Sequence, residues 1–154
     1  GSTWAPVYIQ KNYILKANES GFDVQYLIDN RSNVHLKQLM GVETAWALLA
    51  GNAPDRYYHI DTVKLEPSNM VSSGIINSDK ISLRDDALGY DITVRVDRKL
   101  DWWRFPIETI SLSEGGFERN YQQSTVAPIV FIDLAPGQSL EFNISVEIKN
   151  LARD

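Results

Sequence analysis

The chain has 154 residues, the usual size of one domain, and its 44% hydrophobic and 23% charged residues are typical of folded globular proteins rather than disordered ones. A net charge of −5 without any basic run argues against a nucleic-acid or anionic-membrane partner. The absence of cysteine excludes disulfides, thiolate metal sites and a cysteine nucleophile, but it does not fix the compartment.

We predict a single soluble domain over residues 1–154, because no stretch of the sequence has the composition of a domain linker. The longest apolar runs are about five residues, too short to cross a membrane. Gly1-Ser2 is interpreted as a cloning remnant and residues 1–10 as a leading segment. The chain is therefore expected to be a piece excised from a larger protein.

Period-two alternation of apolar and polar residues dominates the chain. Side chains of a strand point to alternate faces, so this pattern predicts strands with one face for a core and one for water. We expect an all-β fold, an antiparallel β-sandwich of about nine strands, since the segments are short and separated by Gly, Pro and Asn turns. In chain order the predicted strands are Lys11–Ala17, Phe22–Asp29, Leu36–Ala50, Tyr58–Leu65, Lys80–Leu83, Tyr90–Asp97, Trp102–Leu112, Val126–Leu134 and Leu140–Lys149.

Three strands predict the core most clearly. Their inward residues are expected to be Phe22, Val24, Tyr26 and Ile28, then Tyr90, Ile92, Val94 and Val96, then Leu140, Phe142, Ile144, Val146 and Ile148. Leu36–Ala50 could also form a helix, but Gly41 and the neighbouring strands favour a strand. The stretches Gly51–Arg56, Pro67–Asp79 and Ser113–Gly116 are rich in breakers and predicted as loops. Ala135–Gln138 is predicted as the turn between the last two strands.

Few residues suit a metal or a nucleophilic mechanism, and we expect no cofactor. The only histidines are His35 and His59, and neither lies in a nucleophile pattern. Two histidines without cysteine also disfavour a transition-metal site. Asp85, Asp86 and Asp91 could supply oxygens to calcium, but their spacing is not that of an EF-hand loop, so we interpret them as a solvated turn.

Acidic residues near the middle of the chain leave an enzymatic alternative open. Glu108, Glu114 and Glu118 lie close in sequence, and glycoside hydrolysis uses carboxylate pairs about 5–9.5 Å apart. A mutarotase-like or hydrolytic activity would use Glu108 or Glu114 together with His59. Acidic residues at strand edges are common, however, and nothing in the sequence marks one of these as desolvated. We therefore expect no catalytic activity from this chain.

Adjacent tryptophans suggest a contact surface, because neighbours on a strand face opposite sides. Trp103 shares its face with Phe105, which looks like the core face. Trp102 would then lie outside with Arg104 and Glu108. An exposed indole beside charged hydrogen-bonding groups can stack on the apolar face of a sugar and bind its hydroxyls. The competing interpretation is a tryptophan packed against a loop or a neighbouring domain.

Several segments together resemble a known family. Gly21–Asn30, Gly41–Glu43, Trp103–Glu118 and the pair Tyr121-Gln122 are similar to the C-terminal β-sandwich domain of family 57 glycoside hydrolases, the α-amylases and 4-α-glucanotransferases. The most specific part of the resemblance is Trp103–Glu118. It implies a galactose-mutarotase-like sandwich that lies beside an α-glucan active site. It also implies that the nucleophile and general acid reside in a separate upstream barrel, so neither role transfers to this chain.

Three hypotheses follow. The first is a non-catalytic accessory domain that binds or presents carbohydrate, with α-glucan and an adjacent catalytic domain as partners. The predicted carbohydrate-binding residues are Trp102, Arg104, Glu108, Glu114, Tyr57, Tyr58 and His59. The second is a structural domain whose aromatic face is an interface, which predicts an exposed apolar patch. The third is the enzymatic alternative. His59 has two open interpretations, a strand-end histidine with a local hydrogen bond or a contact in a ligand groove.

Overall fold

The computed structural model describes residues 4–61, 63–113 and 115–151. Within these ranges there are nine strands, no helix, and hence no helix that could span a membrane. The strands are β1 (Val7–Ile14), β2 (Gly21–Asn30), β3 (Leu36–Gly41), β4 (Thr44–Trp46), β5 (Arg56–His59), β6 (Gly74–Asp85), β7 (Tyr90–Ser113), β8 (Gly116–Leu134) and β9 (Ser139–Asn150). Their pairings are antiparallel, which confirms the predicted all-β class.

Two layers of sheet arise because β6 and β7 are long enough to belong to both. The first layer has the order β1-β2-β9-β7-β6-β5 and uses residues 90–96 of β7. In the second layer β7 continues against β8, and β8 pairs with β3 and β4 on its other edge. The register of β6 against β7 shifts between Ser78 and Lys80. At this point residues 96–99 of β7 stand against Asp79 alone, and an irregularity of this kind bends the strand that carries the extra residues, which helps β7 pass from one layer to the other.

The inward faces of both layers form one core. Tyr26 and Phe142 stack within it, with ring centroids 4.8 Å apart and an interplanar angle of 2°. The predicted inward residues of β2, β9 and the first half of β7 are buried or packed against this core, with the exception of Tyr90, which is exposed. Alternation therefore predicted the inner faces of these three strands correctly, because each has one face in the core and one in solvent. The bounds of β1 and β5 differ from the predicted Lys11–Ala17 and Tyr58–Leu65.

Several predicted boundaries are wrong. Tyr90–Asp97 and Trp102–Leu112 are one strand of 24 residues. The last six residues of the predicted loop Pro67–Asp79 already belong to β6. Turn predictions fare better, since Ser113–Gly116 closes the β7–β8 hairpin, and the Gln138 N–H donates to the Ala135 carbonyl at 3.0 Å.

The predicted orientation of the two adjacent tryptophans is also wrong. Trp102 is fully buried and its Nε1–H donates to the Ser78 carbonyl at 2.8 Å, whereas Trp103 is 46% exposed. The reason is that β7 is unbroken, so the phase set by the buried residues Val94 and Val96 continues along the strand and places even-numbered residues inside.

Replacing each tryptophan by alanine separates these orientations. We expect Trp102→Ala to lower the free energy of unfolding by about 3–5 kcal/mol, because it leaves a large cavity in the core. Trp103→Ala should cost at least about 2 kcal/mol less, because its indole is already half in solvent. Urea unfolding monitored by circular dichroism measures both. Equal losses would contradict the observed orientation.

Candidate functional site

The seven residues predicted to bind carbohydrate do not meet in one place. Tyr57, Tyr58 and His59 lie on β5, at the edge of the first layer, while Trp102 and Arg104 lie on the inner side of the second layer. Glu108 lies at the root of the β7–β8 hairpin, and Glu114 lies outside the described residues. The sequence grouped Trp102, Arg104 and Glu108 on one outward face, and the structure turns that face of β7 inward at Trp102 and Arg104.

His59 makes a local contact. Its Nε2 lies 3.1 Å from a carboxylate oxygen of Asp91, and the Tyr57 ring meets the imidazole edge-on at 6.2 Å. Tyr57 in turn donates its hydroxyl hydrogen to Asp86 at 3.3 Å. Alternation puts both Tyr57 and His59 on the outer face of the first layer. The geometry therefore supports the interpretation of His59 as a strand-end histidine with a local hydrogen bond.

Asp85, Asp86 and Asp91, which the sequence suggested as possible calcium ligands, each contact a basic or hydrogen-bonding neighbour. The buried Asp85 accepts from Arg56 at 3.0 Å and from the Leu88 N–H at 2.9 Å. Asp86 accepts from Arg84 at 2.7 Å, and Asp91 faces the imidazole described above. Among the described residues, no group of three or more His, Cys, Asp and Glu side chains could hold a metal ion.

Arg104 and Tyr58 form a buried polar cluster. The guanidinium lies over the Tyr58 ring at 5.1 Å, donates to the Pro67 carbonyl at 2.9 Å and donates to the Ser72 hydroxyl. It is only 5% exposed and both of its Nη atoms donate to partners within the chain, so the structure does not support the prediction that it binds sugar hydroxyls. Its contacts instead hold the loop before β6 against the core. Gly74 fits this arrangement because a Cβ there would come within 3.3 Å of the guanidinium.

Burial shifts the pKa values of both Arg104 and Tyr58. It lowers the pKa of Arg104, and within the described part of the chain no carboxylate forms an ion pair with this guanidinium. It also raises the pKa of Tyr58 to about 12, because the phenolate would be poorly solvated there. Tyr58 is thus a neutral core residue, and its burial does not support the prediction that it contacts a ligand.

Glu108 stands at the root of the β7–β8 hairpin, where the two strands leave the sandwich. Its carboxylate lies 3.5 Å from Nη1 of Arg119 on the neighbouring strand. It has the same phase as Trp102 but lies beyond the core. The structure therefore separates Glu108 from the indole with which it was predicted to act.

An exposed apolar surface appears instead on the outer face of the second layer. We call it the Trp103 shelf and define it by Leu39, Ile75, Trp103, Phe105, Ile129 and Phe131. Cross-strand pairing makes it continuous, since Ile75 lies opposite Trp103, and Leu39 lies opposite Phe131. Leu39, Ile75 and Phe131 are each more than half exposed.

A shallow depression of about 300 Å³ opens in this shelf beside the Trp103 indole. Gly41 and Ala127 leave room for it, because neither has a large side chain, and Glu43 is the one charged residue in its lining. The shelf was not predicted from the sequence, because the pattern indicated that Trp103 and Phe105 belong to the core. Reading the phase of β7 onward from Val94 and Val96 would have placed both outside.

The ionisation of Tyr58 makes the stability of the fold depend on pH at the alkaline end. Below pH 10 the phenol is protonated in both states. Between about pH 10 and 12 the unfolded chain loses this proton and the fold retains it, so the free energy of unfolding should fall by roughly 2–3 kcal/mol. Urea unfolding at pH 9–12 measures the decline. Tyr58→Phe should remove that part of it, while Tyr13→Phe, a change at an exposed position, should not. An identical decline in both variants would contradict this assignment.

Comparison with known proteins relates the whole arrangement to a family. Residues 1–145 match the model of the family "Alpha-amylase/4-alpha-glucanotransferase, C-terminal". Alpha-amylase 1 of Dictyoglomus thermophilum is 36% identical over 141 residues, which cover 90% of this chain and 20% of that protein. The chain therefore spans about a fifth of the length of this relative.

Solved structures show the same fold. The 4-α-glucanotransferase from Thermococcus litoralis aligns with a TM-score of 0.66 and 19% identity, over 96% of this chain and 19% of that one. A putative aldose 1-epimerase from Escherichia coli K12 aligns with a TM-score of 0.71 and 12% identity, over 98% of this chain and 63% of that one. These likenesses confirm the expected antiparallel all-β fold, which the chain shares with both proteins. The family model, which matches residues 1–145, and the relative at 36% identity establish that the chain belongs to the family of C-terminal domains of α-amylases and 4-α-glucanotransferases.

Proposed function

We propose that this chain is a non-catalytic accessory domain of an α-glucan-active enzyme, and that the Trp103 shelf packs against the rest of that enzyme. The observation that carries the proposal is the shelf itself, a continuous apolar face on the outer side of a sheet. Family membership supplies the context, because the relative named above is about five times longer than this chain. The occupant we propose for the shelf is thus the remaining part of the same enzyme.

Physical chemistry favours a protein partner on this face. When a partner covers exposed aliphatic and aromatic side chains, the free energy of the complex falls by roughly 25 cal/mol for each Å² of apolar surface removed from water. Contiguous exposed apolar patches of several hundred Å² mark interaction sites in globular proteins. The depression next to Trp103 could receive one apolar side chain of the partner, since Gly41 and Ala127 form its floor. These features match the structural hypothesis drawn from the sequence.

Carbohydrate binding on the same shelf is a second candidate. The sequence predicted an exposed indole at Trp102, whereas the exposed indole of β7 is that of Trp103. Glu43 lines the depression beside it and could bind a sugar hydroxyl. A sugar site needs several convergent hydrogen-bonding groups, however, and the depression is lined mainly by apolar side chains. The surface therefore suits an apolar protein partner better than a glucan.

Removing apolar area from the shelf tests the first candidate. Without its partner, the 154-residue chain should self-associate as its concentration rises, and the double variant Leu39→Lys/Phe131→Lys should remain monomeric because it puts two charges on the shelf. Sedimentation velocity measures both. Leu88→Lys is the control, since it changes an exposed leucine in the turn between β6 and β7. A wild-type chain that stays monomeric at every concentration would count against an apolar interface.

Calorimetric titration with maltooligosaccharides decides the second candidate. We expect no heat of binding at millimolar ligand. Heat that disappears in Trp103→Ala and persists in Trp4→Ala, a change at another exposed tryptophan, would assign the shelf to glucan and overturn the preference for a protein partner.

A further inference from the structure

The β7–β8 hairpin projects beyond the sandwich as a two-stranded ribbon. Pairing of β6 with β7 begins at Arg104, and pairing of β4 with β8 reaches only Ser124. Beyond these points β7 and β8 pair with each other alone, up to Ser113 and Gly116. We call residues 108–113 and 116–121 the β7–β8 ribbon. Isolated two-stranded hairpins are marginally stable in water, so a projecting ribbon calls for a second stabilising surface.

The two faces of the ribbon differ in chemistry. One face is polar and bonded across the strands. On it Asn120 donates to Ser111 at 2.8 Å, and Ser113 donates to Glu118 at 2.7 Å. This face satisfies many of its polar groups within the ribbon and can remain in solvent.

The opposite face is apolar and uncovered. It carries Ile110, Leu112 and Phe117, which are between 67% and 82% exposed. Leu112 and Phe117 lie directly opposite each other. Arg119 lies opposite Ile110 on the same face and forms an ion pair with Glu108, so this face is charged at its end nearest the sandwich. Three large apolar side chains thus share one face with no cover from the described residues.

Alternation shows that this face continues the core side of the second layer. Ile110 and Leu112 have the same phase along β7 as the buried residues Trp102 and Arg104. The chain covers this side as far as Tyr121, whose ring lies so close to Gly51 that a Cβ there would come within 2.7 Å of it. The ribbon therefore extends the inner side of the sheet past the last segment of this chain that covers it.

We infer that the apolar face of the β7–β8 ribbon packs into an apolar groove on the part of the enzyme that lies outside this chain, an inference that rests on the proposed function. We choose this occupant because four fifths of the relative named above lie outside the part that aligns with this chain. A second copy fits less well. Three side chains cover only a few hundred Å² per partner, against about 800 Å² in a typical stable complex. A covalently tethered partner needs less area, since the tether raises its effective concentration.

Hydrogen exchange on the full-length polypeptide that carries this chain tests the inference, with the 154-residue chain as reference. Backbone amides of the β7–β8 ribbon should exchange at least tenfold more slowly in the full-length protein. Phe117→Asp should abolish that difference, because it places a carboxylate in the apolar contact. The matched control Thr109→Asp adds the same charge to the polar face and should preserve the protection. Both variants change exposed positions, so unchanged thermal unfolding of the 154-residue chain verifies that each folds.

The outcomes separate the ribbon from the proposed function. A full-length polypeptide without activity on α-glucans overturns the proposed function whatever the ribbon does. Activity on α-glucans together with equal ribbon exchange in both forms overturns the inference alone. Ribbon protection that appears in the 154-residue chain and grows with its concentration would assign the face to a second copy, which also overturns it.

Discussion

Side-chain alternation along the unbroken strand β7 determines how both layers of this sandwich are built. The strand pairs with β9 and β6 in the first layer and with β6 and β8 in the second. A register slip of one residue would exchange the inner and outer faces of everything it carries. The burial of Val94 near one end of the strand therefore fixes the burial of Trp102 and the exposure of Trp103 further along.

The alternation along β7 also places a charged residue, Arg104, in the interior. Its phase places it inside, where an uncompensated guanidinium would be costly. The Tyr58 ring, the Pro67 carbonyl and the Ser72 hydroxyl offset part of that cost. The same contacts fix the loop that leads into β6, and hence the position of Ile75 beside Trp103 on the outer face. Arg104, which the sequence suggested as a ligand contact, thus helps to hold the loop and strand that carry part of the Trp103 shelf.

Two apolar surfaces that no other described residue covers distinguish this domain from a self-contained sandwich. The Trp103 shelf uses odd-numbered residues of β7, and the β7–β8 ribbon uses even-numbered ones, so they lie on opposite sides of the same ladder. A flat partner that contacts one side of the ladder cannot cover both. An accessory domain joined covalently to a larger enzyme accounts for two modest contacts more easily than a free binding module does, because tethering makes small interfaces effective.

The sequence by itself determined the fold class, the phase of β2, β9 and the first part of β7, the main turns and the family. It could do so because alternation over a half-buried strand is a local property, and because the segments that resemble the family are contiguous. It did not determine that two predicted strands are one, since the residues between Val96 and Trp102 are mostly polar and suggest an interruption. Only the tertiary structure decided which indole lies inside, that Tyr58 and Arg104 are buried together, and that the shelf and the ribbon remain uncovered. Those outcomes depend on pairing between strands far apart in the chain, which no local pattern records.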